Sequence, residues 1–143
     1  MLSLTCKASI KAVIFLGSRF ETEERSSIKE IAEFIDENEH TVGKLLQKLV
    51  KEDIIKSIKG PNGGFFMTQK QTQQPIIKII EAIDGKEVFK QCGLGLSKCS
   101  ETRPCPFHNE YKHVRNQFED MCREKKVFEL YENVNSGLSY LTA

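Results

Sequence analysis

No stretch of this chain approaches the roughly 18 consecutive apolar residues that a membrane helix needs, so a spanning segment is excluded on hydropathy. Residues 1–14 carry Cys6 and Lys7 and lack a long apolar run closed by a small-residue cleavage site, so no secretory signal is expected there. The expected address is the cytoplasm. Marks of catalysis are also absent: there is no nucleophile–base pair, no carboxylate dyad, and Gly60–Gly64 lacks the lysine and following helix of a phosphate loop. An enzyme is not expected. A surplus of one charge sign is missing too, the net formal charge of the 143 residues being +1. Cysteine, by contrast, needs explaining: there are five, an odd number that cannot be fully paired within one chain, in a compartment where structural disulfides are rare.

What is present is a patterned head. The composition, 39% hydrophobic and 29% charged, is that of an ordinary globular chain. An apolar first run holds Ile10, Val13, Ile14 and Gly17. Ser27 and Glu30 then form a capping box, in which side chains satisfy free helix-start amides reciprocally, ahead of Ile28, Ile31, Ala32 and Ile35 at helical spacing. Asp36 and Glu37 make a short turn, and Asn38 caps a helix with Val42, Leu45, Leu46, Leu49 and Val50 on one face. Two short amphipathic helices across a tight turn read as a helix-turn-helix. The run Ile54–Lys59, the segment Gly60-Pro61-Asn62-Gly63-Gly64 and then Phe65–Thr68 predict a hairpin around an Asn-Gly turn. A hairpin in that position is a wing.

The buried stripe of the third helix dictates what its other face offers. Recognition helices place their early residues on base edges in the major groove and later ones on phosphate. His40, Thr41, Lys44 and Gln47 are therefore candidates for base contact, and Lys48 and Lys51 for phosphate. Lys59 and Asn62 at the wing tip could reach phosphate or the minor groove, and Lys7 and Ser27 could fix helix N-termini on the DNA backbone. Residues 41–60 carry a local surplus of three positive charges. The partner so implied is double-stranded DNA.

Beyond a polar linker, Gln69–Gln74, Pro75 opens a helix with Ile76, Ile80 and Ile83 on one face, closed by Gly85. Residues 86–106 have no helical or strand period, and a loop of that length calls for a functional reason or a metal. From Phe107 a heptad-like seam follows: Phe107, Tyr111, Val114, Phe118, Met121, Lys125 and Phe128, on a helix of about 25 residues that needs a partner. A homodimer built on that helix, reading a palindromic operator with half-sites roughly 34 Å apart, is the expectation. The fold class expected is mainly α with a small β-hairpin. Residues 1–70 are the winged helix-turn-helix, and residues 71–143 the linker helix, the cysteine loop and a long C-terminal dimerisation helix.

Cys92, Cys99 and Cys105 have six and five residues between them, and His108 follows at the helix start. Thiolate and imidazole bind zinc and iron–sulphur clusters. The gaps are wider than the two-to-four spacing of ordinary zinc sites and suit a cluster. A zinc site, a thiol redox switch and inert cysteines remain alternatives on the residues alone.

The order of elements, the Gly60–Phe65 wing motif and the three-cysteine loop with His108 resemble the bacterial winged-helix regulators typified by IscR and NsrR, over residues 1 to about 132. The resemblance implies a homodimeric regulator whose DNA affinity changes with an iron–sulphur cluster on Cys92, Cys99 and Cys105. His108 matches the fourth ligand of the IscR-like branch, which favours a 2Fe-2S cluster over 4Fe-4S. The signal would be cluster supply, nitric oxide or redox state. The alternative within the same fold is a cluster-free thiol-redox or zinc-dependent regulator, since some family members lack these cysteines. Here the first cysteine gap is one residue longer than usual, and Gly43 stands where IscR-like members carry glutamate, so their DNA sequence preference does not transfer. Cys6 and Cys122 match no ligand position. Cys122 reads as a small buried hydrophobe, and Cys6 could be exposed.

Overall fold

Serine and asparagine caps start the helices of the head where the sequence places them. The structure, a computed structural model, describes residues 2–142. Helix α1 (Leu4–Ser18) begins at Ser3, whose hydroxyl accepts the Cys6 amide at 3.0 Å. Its buried residues, among them Ala8, Ala12, Val13, Phe15 and Leu16, face several directions, as suits a helix at the centre of a fold. In α2 (Ile28–Ile35) the expected capping box forms, Ser27 Oγ accepting the Glu30 amide at 3.1 Å while Glu30 takes the Ser27 amide. Asp36, at φ 56°, ends it. Asn38 Oδ1 accepts the amides of His40 and Thr41 and starts α3 (Glu39–Lys51). The far end of α3 closes in a Schellman motif, with Asp53 at φ 57° and the Ile54 amide donating to Leu49 O at 2.9 Å. Val42, Leu45, Leu46 and Leu49 are buried, each contributing about 1.5–3 kcal/mol.

The wing is β1 (Lys56–Ile58) against β2 (Gly64–Phe66), antiparallel, with Lys56 opposite Phe66 and Ile58 opposite Gly64. It is shorter than the apolar run suggests, because Ile54 and Ile55 enter the core instead. The turn also differs from the Asn-Gly expectation. Gly63 donates to Gly60 O at 3.0 Å, so Pro61 and Asn62 are its central residues, and Asn62 does not have positive φ. Proline presets the first central position of such a turn. Ser26 bridges to Phe65 in both directions, at 2.9 and 2.8 Å, tying the start of α2 to the wing. Gly64, at φ 145°, permits this approach: a Cβ there would lie 2.8 Å from Ser26 O.

The polar linker contains a one-turn helix, α4 (Gln69–Thr72), with its own Thr68–Gln71 capping box. Helix α5 (Ile77–Asp84) follows and ends at Gly85, φ 87°. A 3-10 turn, Lys86–Phe89, buries Val88 and Phe89 and leads into the irregular cysteine loop. Helix α6 (His108–Glu124) is the longest. It stops earlier than the heptad seam predicts. Lys125 is extended (φ −78°, ψ 120°), and the chain restarts as α7 (Val127–Asn135). Two backbone bonds fix the break: Ile76 N–H to Lys125 O at 2.9 Å and Val127 N–H to Gln74 O at 3.0 Å. Phe128 therefore belongs to α7, which packs back along α1 so closely that a Cβ on Gly17 would lie 2.7 Å from the Tyr131 ring. One hydrophobic cluster runs from Cys6 to Tyr131, across the boundary at residue 70.

Candidate functional site

Two groups of side chains stand apart from this core. The first is the outer face of α3. His40, Lys44, Gln47, Lys48 and Lys51 are exposed and Thr41 is half-buried. His40, Thr41, Lys44 and Lys48 line a cleft of about 450 Å³ whose other wall is the cap Ser3 and Thr5 of α1 with Ile83 and Asp84 of α5. Ser3 donates to Asp84 from its backbone and its hydroxyl, fastening the two walls' ends. Lys59 and Asn62 are exposed on the wing, and Lys7 is exposed on α1. The Ser27 hydroxyl is engaged in its helix cap. Sequence reasoning missed Arg25. Its Nη1 donates to Asn62 O at 3.1 Å and its guanidinium lies 5.7 Å from the Phe66 ring centroid, bracing the wing tip. The signal was there: a lone arginine closing the acidic run Glu21–Glu24.

The second group is the cysteine loop against the start of α6. Gly95, at φ 75°, donates to Cys92 O at 3.0 Å and turns the chain so that the Leu94 amide points at Cys92 Sγ, 3.4 Å away. Cys92 Sγ lies 3.5 Å from Cys105 Sγ. The turn Cys105-Pro106-Phe107-His108, closed by the His108 amide on Cys105 O at 3.0 Å, sets the imidazole beside the loop. There His108 Nδ1 is 3.3 Å from Cys99 Sγ. The four predicted ligands thus come together as two pairs, with Cys92 and His108 buried and Cys99 and Cys105 half-buried. Among the described residues no three His, Cys, Asp or Glu side chains are gathered closely enough to hold a single metal ion.

Helix α6 grips this loop at three heights. Glu101 pairs with Lys112. The Tyr111 ring covers Gly93, where a Cβ would come within 2.8 Å of it. Arg115 reaches Gln91 O at 2.9 Å and Cys99 Sγ at 3.4 Å. His108, Tyr111 and Arg115 follow one another by three and four residues, one face of a helix.

Three of the thiols are shifted by their surroundings. Backbone N–H groups, Leu94 first and then Leu96, hold Cys92 below the ordinary thiol range. Burial pushes Cys6 up to about 12, helped by the Asp84 carboxylate, and pushes Cys122 up to about 11. Both are fully buried. For Cys122 this is the expected place; for Cys6 it corrects the exposed alternative. Of these three, Cys92 is the one suited to thiolate chemistry.

Residues 2–133 match the model of the Rrf2 family, described as an iron-dependent transcriptional regulator. The regulator NsrR of Oceanobacillus iheyensis is 26% identical over 110 residues, 76% of this chain and 71% of that protein. An Aquifex aeolicus protein, named provisionally as an HTH-type transcriptional regulator, is 29% identical over 91 residues, 62% of this chain and 63% of its own length. The chain thus spans somewhat under two thirds of the length of that relative. Among solved structures, IscR of T. potens superposes with a TM-score of 0.72 at 18% identity, covering 98% of this chain and 92% of that one. The global cysteine regulator CymR of B. subtilis gives 0.71 at 18%, covering 92% and 96%. At such identities the structures speak for the fold, a winged helix with its C-terminal helices.

Proposed function

The chain belongs to the Rrf2 family of transcriptional regulators, and on that footing we propose that it binds operator DNA as a homodimer and reports on an iron–sulphur cluster held by Cys92, Cys99, Cys105 and His108. The observation that carries the proposal is the convergence of those four side chains, drawn from 17 residues of chain, into a Cys92–Cys105 pair and a Cys99–His108 pair at 3.5 and 3.3 Å.

The donor set fits such a group. Three thiols and one imidazole are its ligand types, and the neighbours of the sulphurs are donors: the Leu94 amide on Cys92 and the Arg115 guanidinium on Cys99. Donors of this kind stabilise sulphur in its anionic, metal-binding form. The cluster, when bound, would supply one-electron chemistry and sensitivity to oxidant or nitric oxide, and the His108 ligand favours the 2Fe-2S type. The protein's part is to hold the four ligands on a loop seated against α6.

For DNA, α3 offers His40, Thr41, Lys44 and Gln47 to base edges and Lys48 and Lys51 to phosphate, with Lys59 and Asn62 at the wing and Lys7 and Ser27 toward the backbone. The homodimer would use the outer face of α6, where Phe107, Val114 and Met121 recur every seven residues and stand about half exposed. The cytoplasm is the proposed address; among the described residues no helix is long and apolar enough to cross a membrane.

Anaerobic purification followed by iron, sulfide and zinc analysis with visible absorption tests the cluster. Iron and sulfide in equal amounts with charge-transfer bands support it. A colourless preparation that stays without iron after reconstitution overturns it. A second reading, a cluster-free regulator switched by thiol oxidation or by zinc, draws on the 3.5 Å Cys92–Cys105 approach. An oxidant such as peroxide would take two electrons and two protons from the pair and leave a disulfide. Peptide mapping of the colourless protein would find it.

A further inference from the structure

One buried cation has no counter-charge. Arg115 is only 8% exposed, yet among the described residues no carboxylate lies within ion-pair distance of it. Its Nη1 donates to Gln91 O and to Cys99 Sγ, and its Nε is buried without any hydrogen-bond partner. A desolvated guanidinium left in that state is unfavourable, unless negative charge lies next to it. Among the described residues, the group it hydrogen-bonds that can carry such charge is the Cys99 sulphur.

We infer that Arg115 is the built-in counter-charge of the centre on Cys92, Cys99, Cys105 and His108, a positioning residue that sets its electron affinity. The inference rests on the cluster reading above. Reduction of the centre by one electron from an external donor adds one negative charge and transfers no atom. A fixed positive charge and a hydrogen bond at Cys99 Sγ stabilise the reduced form more than the oxidised one, so they raise the reduction potential. Burial is what gives Arg115 this role, since exposed neighbours such as Lys98 are screened by water. Its second bond, to Gln91 O, fixes the guanidinium by the chain just before Cys92.

The test uses the full chain, purified anaerobically, as wild type, Arg115→Gln and Arg115→Lys. Iron and sulfide per chain are measured, then the midpoint potential by dithionite titration followed in the visible spectrum. Arg115→Gln is expected to load and to shift to a lower potential, with Arg115→Lys restored toward wild type. Loading of the lysine variant where the glutamine variant fails to hold iron would equally show the need for charge. Wild-type potentials in both variants, or loss of iron from both, would overturn the inference while leaving the cluster reading intact. Iron absent from the wild type after reconstitution would overturn the cluster reading, and this inference with it.

Discussion

Lys44 and Lys48 stand on the exposed face of α3 beside the α1 N-terminus, and neither is in an ion pair among the described residues. If this face meets phosphate, each lysine releases about 0.9 counterion per contact, or about 1.8 for a dimer on two half-sites. Replacing either with alanine should therefore reduce the slope of log affinity against log salt by about 1.8. Between about 50 and about 200 mM salt, wild-type affinity should fall roughly twelve-fold further than that of a single variant. Lys56 is the internal control, since its ammonium already pairs with Asp53 at 2.8 Å; Lys56→Ala should change the slope less. The assay is fluorescence anisotropy on the operator over a salt series, with circular dichroism to show that the helices persist. Unchanged slopes for both Lys44→Ala and Lys48→Ala would refute the placement of DNA on α3.

Gly64→Ala should destabilise the chain by about 1–3 kcal/mol in urea unfolding, because the new Cβ strains a positive φ and meets Ser26 O; unaltered stability would sink the argument for the Ser26–Phe65 tie. Gly93→Ala should release iron to a chelator several-fold faster, since its Cβ meets the Tyr111 ring, and a second change, Tyr111→Ala, should recover part of the loss. For pH, Cys6 is raised from 9.0 to about 12 in the folded chain. The unfolded chain then loses its proton first, so this stability is complete below pH 9 and falls as pH rises toward 12. The contribution drops by about 2 kcal/mol between about pH 8 and about pH 10.5. Cys6→Ala should lose correspondingly less in urea titrations at the two pH values, and an equal loss would count against a buried neutral thiol.

The head was legible because its signals are local. A Ser27–Glu30 cap, the Asn38 cap and the stripe of α3 each lie within one or two helical turns, and each forms as the spacing requires. The four residues proposed as ligands lie together in the fold, but type and gap did not show how they pair. What escaped depends on chain brought from far away. The heptad seam through Lys125 could not reveal two backbone bonds from residues 74 and 76 that break the helix there. Arg115 looked like any helix-surface arginine until the loop folded over it. Helix α4 is a different case: Thr68-x-x-Gln71 is a capping signature that lay in plain view within a polar string.

The two faces of α6 would let one helix serve both the proposed sensing and the proposed assembly. His108, Tyr111 and Arg115 face the sulphur loop, while Phe107, Val114 and Met121 stand about half exposed. If the proposed centre forms, a change of its charge would act on Arg115 and so bear on the same helix that the proposed dimer shares. The base of that helix is held to the residues just before α5 through Lys125 and Val127. The far end of α5, at Asp84, is bonded to Ser3 and walls the cleft along the basic face of α3. Every joint in this series is a named contact rather than a general softness of the molecule. Loss of coupling in Arg115→Gln with DNA affinity of the cluster-free protein unchanged would place the switch at the first joint. Impaired binding in both states would place it at the head instead, because a joint that only transmits must leave the untriggered state alone.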